Sequence, residues 1–436
     1  MNWILSIPVI AKVLGSLGFI LIVNRVIKNL TISALSGGII LGAWCRHSAG
    51  KIFEISLYAL FSEDTLMLIL VLMEVVILSR QMSASRVTKD MVAAVQSKLS
   101  HRESLAALPA VIGLLPMPGG AVFSAPLVDD VDKDGSIEPM MKTRINYWFR
   151  HIWEYWWPLY PGVQFTLAVT KLNPLQLMLL HLPLTILSLI IGYFFFLRKV
   201  KKPDKSEVES AHRYRDIALL MAPIIVVIVV YAIVYVFKTV TIAGEYFPVS
   251  NRYFPMAVGV LCAIVVHQYQ RPLDSLAWKK VIFSWRNFSL AMIVAALMVY
   301  GAFIKTNLPD GTSLVQQMRN ELDASGIPLI AIKIIIPFVS GMATGLAIGF
   351  VGPSFPIVMG LVGTTFGGTL LSTTILAYGS GYIGMMLSPV HVCLIVTNEH
   401  FRTQLMSSIF RLLAPAGVLF VFIFLYHLLI RFIFGA

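Results

Sequence analysis

The sequence predicts an all-α polytopic membrane protein, arranged as an inverted repeat with five spans and one re-entrant hairpin in each half. Of its 436 residues, 57% are hydrophobic and only 13% charged, and the mean hydropathy is +0.80. A soluble domain cannot bury so much apolar surface. Uncharged stretches such as 217–237 and 412–430 are long enough to cross about 30 Å of hydrocarbon. Proline and glycine interrupt apolar segments at corresponding places in both halves.

The net charge of +12 does not indicate a nucleic-acid partner, because the basic residues gather in short loops between apolar stretches. The positive-inside rule makes such loops cytoplasmic. The three cysteines have no metal-site or disulfide spacing, and we interpret them as inert core residues. The N-terminal stretch lacks a basic start and reads as a retained span rather than a signal peptide. These features predict a multi-pass protein of the inner (cytoplasmic) membrane with both termini extracytoplasmic.

Residues 1–197 form the predicted first repeat. Basic loops alternate with apolar stretches there, and this alternation sets the number and direction of the crossings. The predicted elements are spans at about 3–23, 29–45 and 61–79, a hairpin at 104–130, a broken helix at 146–169 and a span at 174–197.

The segment 104–130 is predicted to enter the membrane and return on the same side. Both of its flanks are basic, so it cannot cross once, and at about 27 residues it is short for two full crossings. The sequence Pro116-Met117-Pro118-Gly119-Gly120 supplies helix-breaking residues for its tip. The following helix should break near Trp157-Pro158 and Pro161-Gly162.

A charged linker, 198–216, precedes the predicted second repeat at 217–436, which follows the same plan in the opposite orientation. The tip of its hairpin is predicted at Gly352-Pro353-Ser354-Phe355-Pro356, and its broken helix is interrupted near Ser388-Pro389. The predicted elements are spans at 217–237, 253–268 and 287–304, a hairpin at 328–371, a broken helix at 375–400 and a last span at 412–430.

Irregular backbone at membrane depth is tolerated only where protein buries it or where it lines a watery cavity. Two hairpin tips and two broken helices at corresponding positions therefore predict a transporter's midplane binding site. Free N–H groups at helix N-termini favour an anion, and exposed carbonyls at C-termini can hold a sodium ion. Ordinary helix kinking and close packing is the alternative interpretation of each motif taken singly.

This plan resembles the ion transporter superfamily, which includes citrate, gluconate and dicarboxylate carriers. The stretches "LPMPGGAVFSAPLVDD" and "NYWFRHIWEYWWPLYPG" are similar to the membrane-protein family known as domain of unknown function 401, placed in that superfamily. The resemblance covers nearly the whole chain. It implies secondary active transport by an elevator motion, in which the hairpin domain slides against a scaffold, and it implies a homodimer.

The predicted substrate site consists of residues at the hairpin tips and after the helix breaks, with packing of the hairpins as the alternative role. Trp157, with Trp156 and Tyr160, could wall the site or belong to an interfacial aromatic belt. The candidate residues are Pro118, Gly119, Gly120, Ser124, Trp157, Gly352, Pro353, Ser354, Ser388, Thr397 and Asn398.

Glu154 and His151 are the main candidates for ion coupling, because they lie three residues apart and on one helical face. They could relay protons, or they could lie with Arg150 among the lipid headgroups. His391 is a further candidate, balanced against a structural role. Asp129 is also a candidate, although simple solvation of Asp129 and Asp130 at the mouth of the hairpin is the better interpretation. Glu74 lies deep in the third span and needs a partner.

These residues predict a secondary transporter of a small, carboxylate-like organic anion, driven by a proton or sodium gradient, with protons favoured. No cofactor is expected apart from Na⁺ as a coupling ion, and no catalytic or metal-binding motif is recognisable. Two alternatives remain open: a flippase or exporter of an amphiphilic or lipid-linked anion, and an intramembrane enzyme that uses Ser124 or Ser354 with a histidine.

Overall fold

The computed structural model describes residues 7–435, except 86, 97–98, 117–119, 133, 201–218, 220 and 240–250. The described residues are predominantly α-helical and contain no β-strand. The first half contains α1 (Val9–Ile27), α2 (Leu30–Trp44), α3 (Ala49–Leu60), α4 (Glu63–Ala84), α5 (Val87–Gln96), α6 (His101–Gly113), α7 (Ala121–Val131), α8 (Pro139–Arg150), α9 (Pro161–Thr170) and α10 (Pro174–Phe195), and a short 3-10 turn (Leu197–Lys199) follows.

The second half repeats this order of elements after the predicted linker 198–216, most of which lies outside the described residues. Its helices are α11 (Ala222–Thr239), α12 (Phe254–Gln270), α13 (Ser275–Ile282), α14 (Trp285–Ile304), α15 (Leu314–Ser325), α16 (Leu329–Thr344), α17 (Ala347–Val362), α18 (Gly368–Met386), α19 (Val392–Phe401) and α20 (Leu405–Ile433).

Five helical segments in the described ranges are long and apolar enough to cross a membrane, which confirms the helical membrane class. A sixth is possible if α15 and α16, which meet at a bend of 114°, count as one broken span. Shorter apolar helices include α2, α12 and α17. The predicted total of about ten spans remains a prediction. The five segments are Val9–Ile27, Glu63–Ala84, Pro174–Lys199, Ser275–Ile304 and Leu405–Ile433.

The helix ends follow local sequence signals. Ser100 and Glu103 form a capping box at the start of α6, and Asn173 with Gln176 forms another at α10. Basic residues adopt the left-handed conformation at several C-termini, where a cation also complements the partial negative charge of the helix end. These residues are Lys28, Lys171 and Arg402.

Several helices of each half pack against helices of the other half, and these contacts occur in matching pairs. Helix α2 packs on α14, and its counterpart α12 packs on α4. In the same way α7 packs on α19, and α17 packs on α9. The central helices α4 and α14 also contact each other. In each of these pairs of contacts, both helices of the first contact are replaced by the helices ten positions away in the chain.

Two helices are interrupted between the paired elements. Residues 151–160 separate α8 from α9, and residues 387–391 separate α18 from α19. Both intervals include the prolines singled out by the sequence, Pro158 and Pro389. The interruptions leave helix ends inside the protein, and their polar backbone groups must find partners there.

The positions of the turns in the two hairpin segments can be compared with the predicted tips. In the first, α6 ends at Gly113 and α7 begins at Ala121, and the two helices contact each other. In the second, the predicted tip at Gly352–Pro356 is wrong. Helix α17 continues through Pro353 and Pro356, and the chain turns at Gly345 and Leu346 instead.

Candidate functional site

A cavity of about 360 Å³ lies where the interruptions of the chain meet. Both hairpin segments and both broken helices contribute to its wall, and so do α4 and α14. The lining residues from the interrupted elements are Pro116, Arg150, Glu154, Tyr160, Pro161, Gly162, Gly345, Leu346, Ala347, Ile348, Met385, His391, Val392 and Cys393. Those from α4 and α14 are Val76, Ser79, Arg80, Ser289, Leu290 and Ile293.

Among the described residues, three helices begin at this cavity: α9, α17 and α19. The residues that precede them, Tyr160, Leu346 and His391, make no side-chain capping hydrogen bond. The first N–H groups of a helix have no partner within the helix, and together they carry about half a positive charge. Three such ends around one cavity therefore make it attractive to an anion.

Arg150 adds a full positive charge to the cavity wall. It is the last residue of α8, and only 2% of its surface is exposed. A second basic side chain, Arg80, reaches the wall from α4 and donates hydrogen bonds to Ser284 Oγ (2.5 Å) and the Lys280 carbonyl (2.7 Å). The side chain of Arg150 is therefore enclosed by protein.

Glu154 and two histidines form a polar cluster beside Arg150. The Nε2 atoms of His151 and His391 are 3.1 Å apart, and Glu154 Oε1 lies 3.9 Å from His151 Nε2. All three side chains are buried, although Glu154 and His391 line the cavity. The packing thus brings together two histidines that are 240 residues apart in the chain.

Tyrosines stabilise the interrupted segments by binding their carbonyl groups. Tyr382 of α18 donates to the His151 carbonyl at 3.2 Å, and Tyr378 donates to the Glu154 carbonyl. In return, Tyr147 of α8 donates to the Met386 carbonyl at the end of α18, at 2.9 Å. Each broken helix therefore supplies a phenol that satisfies a carbonyl group of the other.

The aromatic residues of 153–160 bind the carbonyl end of α6. Trp153 donates to the Ala110 carbonyl at 2.8 Å, and Trp157 donates to the Leu114 carbonyl at 3.0 Å. Tyr160 donates to the Gly113 carbonyl at 2.5 Å. Trp157 is buried and does not line the cavity. Its indole group binds the first hairpin and does not reach the cavity.

The predicted site residues of the second hairpin lie away from the cavity. Gly352, Pro353 and Ser354 are inside α17, because the chain turns seven residues earlier than predicted. A Cβ atom on Gly352 would lie 2.4 Å from a methyl group of Leu297. Ser354 Oγ donates to the Phe350 carbonyl in its own helix, at 2.5 Å. These residues pack α17 against α14.

Ser388, Thr397 and Asn398 also have structural partners instead of facing the cavity. Ser388 Oγ donates to the Met342 carbonyl of α16, at 2.7 Å. Thr397 accepts a hydrogen bond from Asn146 at 3.0 Å, which joins α19 to α8. Asn398 Oδ1 accepts from two hydroxyl groups, those of Thr403 (2.8 Å) and Ser408 (2.6 Å).

The first hairpin contributes less to the described cavity wall than the sequence predicted. Gly120 and Ser124 are buried, but neither lines the cavity. Ser124 Oγ has no hydrogen-bond partner among the described residues. The predicted tip residues Pro118 and Gly119 lie outside the described residues.

Asp129 belongs to an ionic cluster at the end of α7 and does not line the cavity. Its two oxygens lie 2.8 Å from Lys142 Nζ and 2.8 Å from His400 Nε2. Lys142 also lies 2.8 Å from Asp132 in the loop that follows. Burial alone would raise the pKa of Asp132, but hydrogen bonds from Lys142, the Ile137 N–H and Ser136 outweigh it and lower the pKa.

Glu74 is buried in α4 but is not part of the cavity wall. Its Oε2 atom has no hydrogen-bond partner within the part of the chain that the structure describes. The sequence predicts a partner for the Glu74 carboxyl group, and the described residues provide none for Oε2.

Two cavity residues, Arg150 and Cys393, were not selected from the sequence. Arg150 precedes His151 directly, but the sequence placed it equally well at the membrane surface. Cys393 follows His391 by two residues and was taken as inert. The sequence His-Val-Cys directly after a helix break could have identified Cys393, because it places an imidazole and a thiol at one helix N-terminus.

The helices, the buried interruptions and the cavity define a multi-pass helical membrane protein. Within that class the chain belongs to the family described as "Protein of unknown function (DUF401)", whose family model matches residues 10–430. A search of curated proteins finds no match to the chain.

Proposed function

We propose that this protein is a secondary transporter that binds a small organic anion in the central cavity. The single observation that carries the proposal is the convergence of four chain interruptions on one cavity. Discontinuous helices that meet at the midplane are the usual construction of transporter sites, since their ends supply unpaired backbone groups to a solute.

Charge and size both support an anion of modest dimensions. The starts of α9, α17 and α19 and the Arg150 side chain give the wall positive potential. Arg suits carboxylate binding because its planar group can donate two parallel hydrogen bonds. A volume of about 360 Å³ is near the lower limit for small-molecule sites. It favours a small carboxylate over an amphiphilic or lipid-linked anion.

The exchange of packing partners between the halves supports an inverted repeat and alternating access. In this proposal the hairpins and broken helices, α6–α9 and α16–α19, form the unit that moves. The helices α1, α2, α4, α11, α12 and α14 form the scaffold. The resemblance to the ion transporter superfamily supports an elevator motion of this kind. We further propose a homodimer in the inner membrane with extracytoplasmic termini.

Glu154 is the proposed coupling group, because it is the carboxyl group among the described lining residues. A titratable group inside a membrane protein is expensive to bury and commonly serves an ion or substrate pathway. A proton on Glu154 would compensate part of the charge of the anion during the transition. A sodium ion held by backbone carbonyls is the alternative coupling ion.

Counterflow in proteoliposomes tests the proposed function. Vesicles loaded with one unlabelled di- or tricarboxylate at a time should accumulate the same compound in labelled form. The accumulated compound should keep its mass, whereas a change in mass would indicate an enzyme. Vesicles that scramble a fluorescent lipid without counterflow of any carboxylate would contradict the proposal and favour a flippase.

Neither serine proposed for an intramembrane enzyme supports that alternative. Ser354 Oγ binds a carbonyl of its own helix, and neither Ser124 nor Ser354 lines the cavity. In the described ranges neither hydroxyl group makes a hydrogen bond to a histidine.

A further inference from the structure

A set of soft and borderline metal ligands lies at the edge of the cavity. One ligand atom each from His151, His391 and Cys393 lies within 4.8 Å of the other two, and all three side chains are buried. His391 and Cys393 also line the cavity, so an ion could reach them from it. The three residues come from the two broken helices, His151 from the first and the others from the second.

The orientation of the two imidazoles suits coordination. Their Nε2 atoms face each other at 3.1 Å. His151 Nδ1 lies 2.5 Å from the Tyr147 carbonyl. That carbonyl can only accept, so Nδ1 carries the proton and the lone pair of Nε2 points towards His391. Metal-binding histidines in proteins commonly donate their second N–H group to a backbone carbonyl in this way.

His391 can adopt the matching tautomer. Its Nε2 donates to His151 when no metal is present, because His151 Nε2 has only a lone pair. Its Nδ1 atom can accept the proton, and a hydrogen bond between the ring and the Met385 backbone favours a protonated ring nitrogen. Moving the proton from Nε2 to Nδ1 leaves both Nε2 lone pairs for a metal ion.

The distances fit a small tetrahedral ion after a limited contraction. A zinc ion with bonds of about 2.0–2.3 Å requires ligand atoms about 3.3–3.6 Å apart. The two nitrogens nearly meet this requirement at 3.1 Å. The widest separation, at most 4.8 Å, must shorten by about 1 Å, which a rotation of the Cys393 side chain could provide.

We propose that His151, His391 and Cys393 bind a zinc ion and leave its fourth position open towards the cavity. Nitrogen and thiolate ligands are those that zinc prefers, and three protein ligands with one open position are typical of zinc that binds a further molecule. On binding, Cys393 releases its thiol proton to water in the cavity and coordinates as the thiolate. The open position, beside Glu154 and Arg150, would accept water or a carboxylate.

This inference stands whether or not the cavity transports an anion, so zinc binding is measured with no carboxylate present. The full-length protein, purified in detergent under reducing conditions and stripped with a chelator, should bind one Zn²⁺ per chain by elemental analysis. Cys393→Ala and His391→Ala should weaken zinc binding by at least about 100-fold. Loss of a residue that only hydrogen-bonds to a metal ligand already lowers metal affinity by up to about 100-fold, and these two variants remove a ligand itself.

Matched controls separate this site from other cysteines and histidines. Cys45→Ala, Cys262→Ala and His427→Gln change the same residue types outside the ligand set and should keep the zinc. Cobalt substitution gives a second, spectroscopic readout. Wild-type protein with Co²⁺ should show a thiolate-to-cobalt charge-transfer band with the intense visible bands of tetrahedral cobalt, and Cys393→Ser should show neither.

Two results would overturn the inference. The first is that monodisperse Cys393→Ala protein retains its zinc. The second is that wild-type protein shows no cobalt–thiolate band and contains no more zinc per chain than Cys393→Ala does. Either would leave the counterflow result of wild-type protein unchanged. Failure of counterflow with zinc still bound would instead remove the transport proposal alone.

Discussion

The two hairpin units have the same backbone plan and different chemistry. In both, a hairpin arm packs on a broken helix of its own half and on one of the other half. The first interruption, 151–160, carries charged and aromatic side chains, whereas the second, 387–391, is five residues long and contains no carboxylate. The first interruption therefore carries the charged groups of the two units, whereas the second is shorter and has no carboxylate.

The second unit obtains its close approach from small residues. Gly345 turns the chain with a positive φ of 62°, and a Cβ atom there would lie 2.9 Å from the backbone of His391. Gly341 and Gly384 pack directly against carbonyl oxygens of the neighbouring helix. In the first unit, Gly113 packs in the same way against the Arg150 carbonyl, and aromatic N–H and O–H groups also bind the end of α6.

Replacing Arg150 should give the largest effect, because the second unit offers no equivalent charge at the end of α18, where Met386 stands. Arg150→Gln should lower anion uptake at least about tenfold, since hydrogen bonds to charged groups contribute about 1.5–3 kcal/mol. Arg150→Lys should retain part of the uptake. Initial rates in proteoliposomes provide the measurement, with reconstituted protein matched by amount. Full uptake by monodisperse Arg150→Gln would exclude this residue from the site.

Glu154→Gln tests whether the first unit also carries the coupling proton. We expect uptake that no longer responds to a pH gradient, because the amide cannot bind and release a proton. Uptake is measured with and without an imposed gradient, and Glu399→Gln, near the end of α19 and outside the cavity wall, serves as the control. A wild-type response to pH in Glu154→Gln would refute this role and favour sodium coupling.

A comparison of Gly345→Ala with Gly326→Ala separates the effect of contact with His391 from that of backbone strain. Gly326 has nearly the same dihedral, φ 68° against 62°, but no atom within 4 Å of an added Cβ. Both substitutions should cost about 1–2 kcal/mol of stability, the strain of a left-handed residue. Only Gly345→Ala should also reduce uptake, since its methyl group displaces His391. Thermal unfolding in detergent and uptake are measured for both, and equal uptake would contradict the role of the turn.

Trp157→Phe and Ser388→Ala remove comparable hydrogen bonds from the two hairpin arms. Trp157→Phe leaves the buried Leu114 carbonyl without its donor, and Ser388→Ala does the same to the partly buried Met342 carbonyl, at a cost of up to about 1–3 kcal/mol. Trp157→Phe should be the more destabilising, because it also leaves a void. Melting temperatures test this order, with the exposed Trp285→Phe as control. No shift for Trp157→Phe would show that the indole N–H does not support the turn.

The ionic cluster after α7 has no counterpart after α17, where residues 363–367 are uncharged. The folded pKa of Asp132 is lowered, so its stabilisation is present above the unfolded value of about 3.9 and is lost as the pH falls through the folded value. The melting temperature of wild-type protein should therefore fall below about pH 4. Asp132→Asn should melt lower at neutral pH and show a flatter acid response.

The exposed pair Lys51–Glu54 provides the control for this pH profile, since surface ion pairs contribute little. Glu54→Gln should follow the wild-type curve. An acid response in Asp132→Asn identical to that of wild-type protein would assign the loss of stability to other carboxylates.

Much of the architecture could be read from hydropathy and helix breakers. The interruptions near Pro158 and Pro389 were predicted because glycine or further prolines and polar residues accompany them. The sequence predicts the second turn in the wrong place, because Pro353 and Pro356 do not break the helix. Both lie inside a buried helix, as does Pro337. Proline removes one backbone hydrogen bond, and tight packing around the helix can compensate for that loss.

The cavity itself could not be read from the sequence, because it depends on contacts between the two halves. His151 and His391 meet only after α8 packs against α19. The same packing buries Arg150, which the local sequence placed equally well in the headgroups. Conversely, Ser388 and Trp157 were chosen as polar or aromatic residues near breaks, but backbone carbonyls use their donor groups.

The central claim is that an anion binds where the four interruptions meet. A cryo-electron microscopy map of the protein with a carboxylate selected by counterflow tests it most directly. We predict density for the compound between Arg150 and the turn at Gly345–Leu346, within reach of the starts of α9, α17 and α19. Density for the bound compound elsewhere, with this cavity empty, would contradict the account.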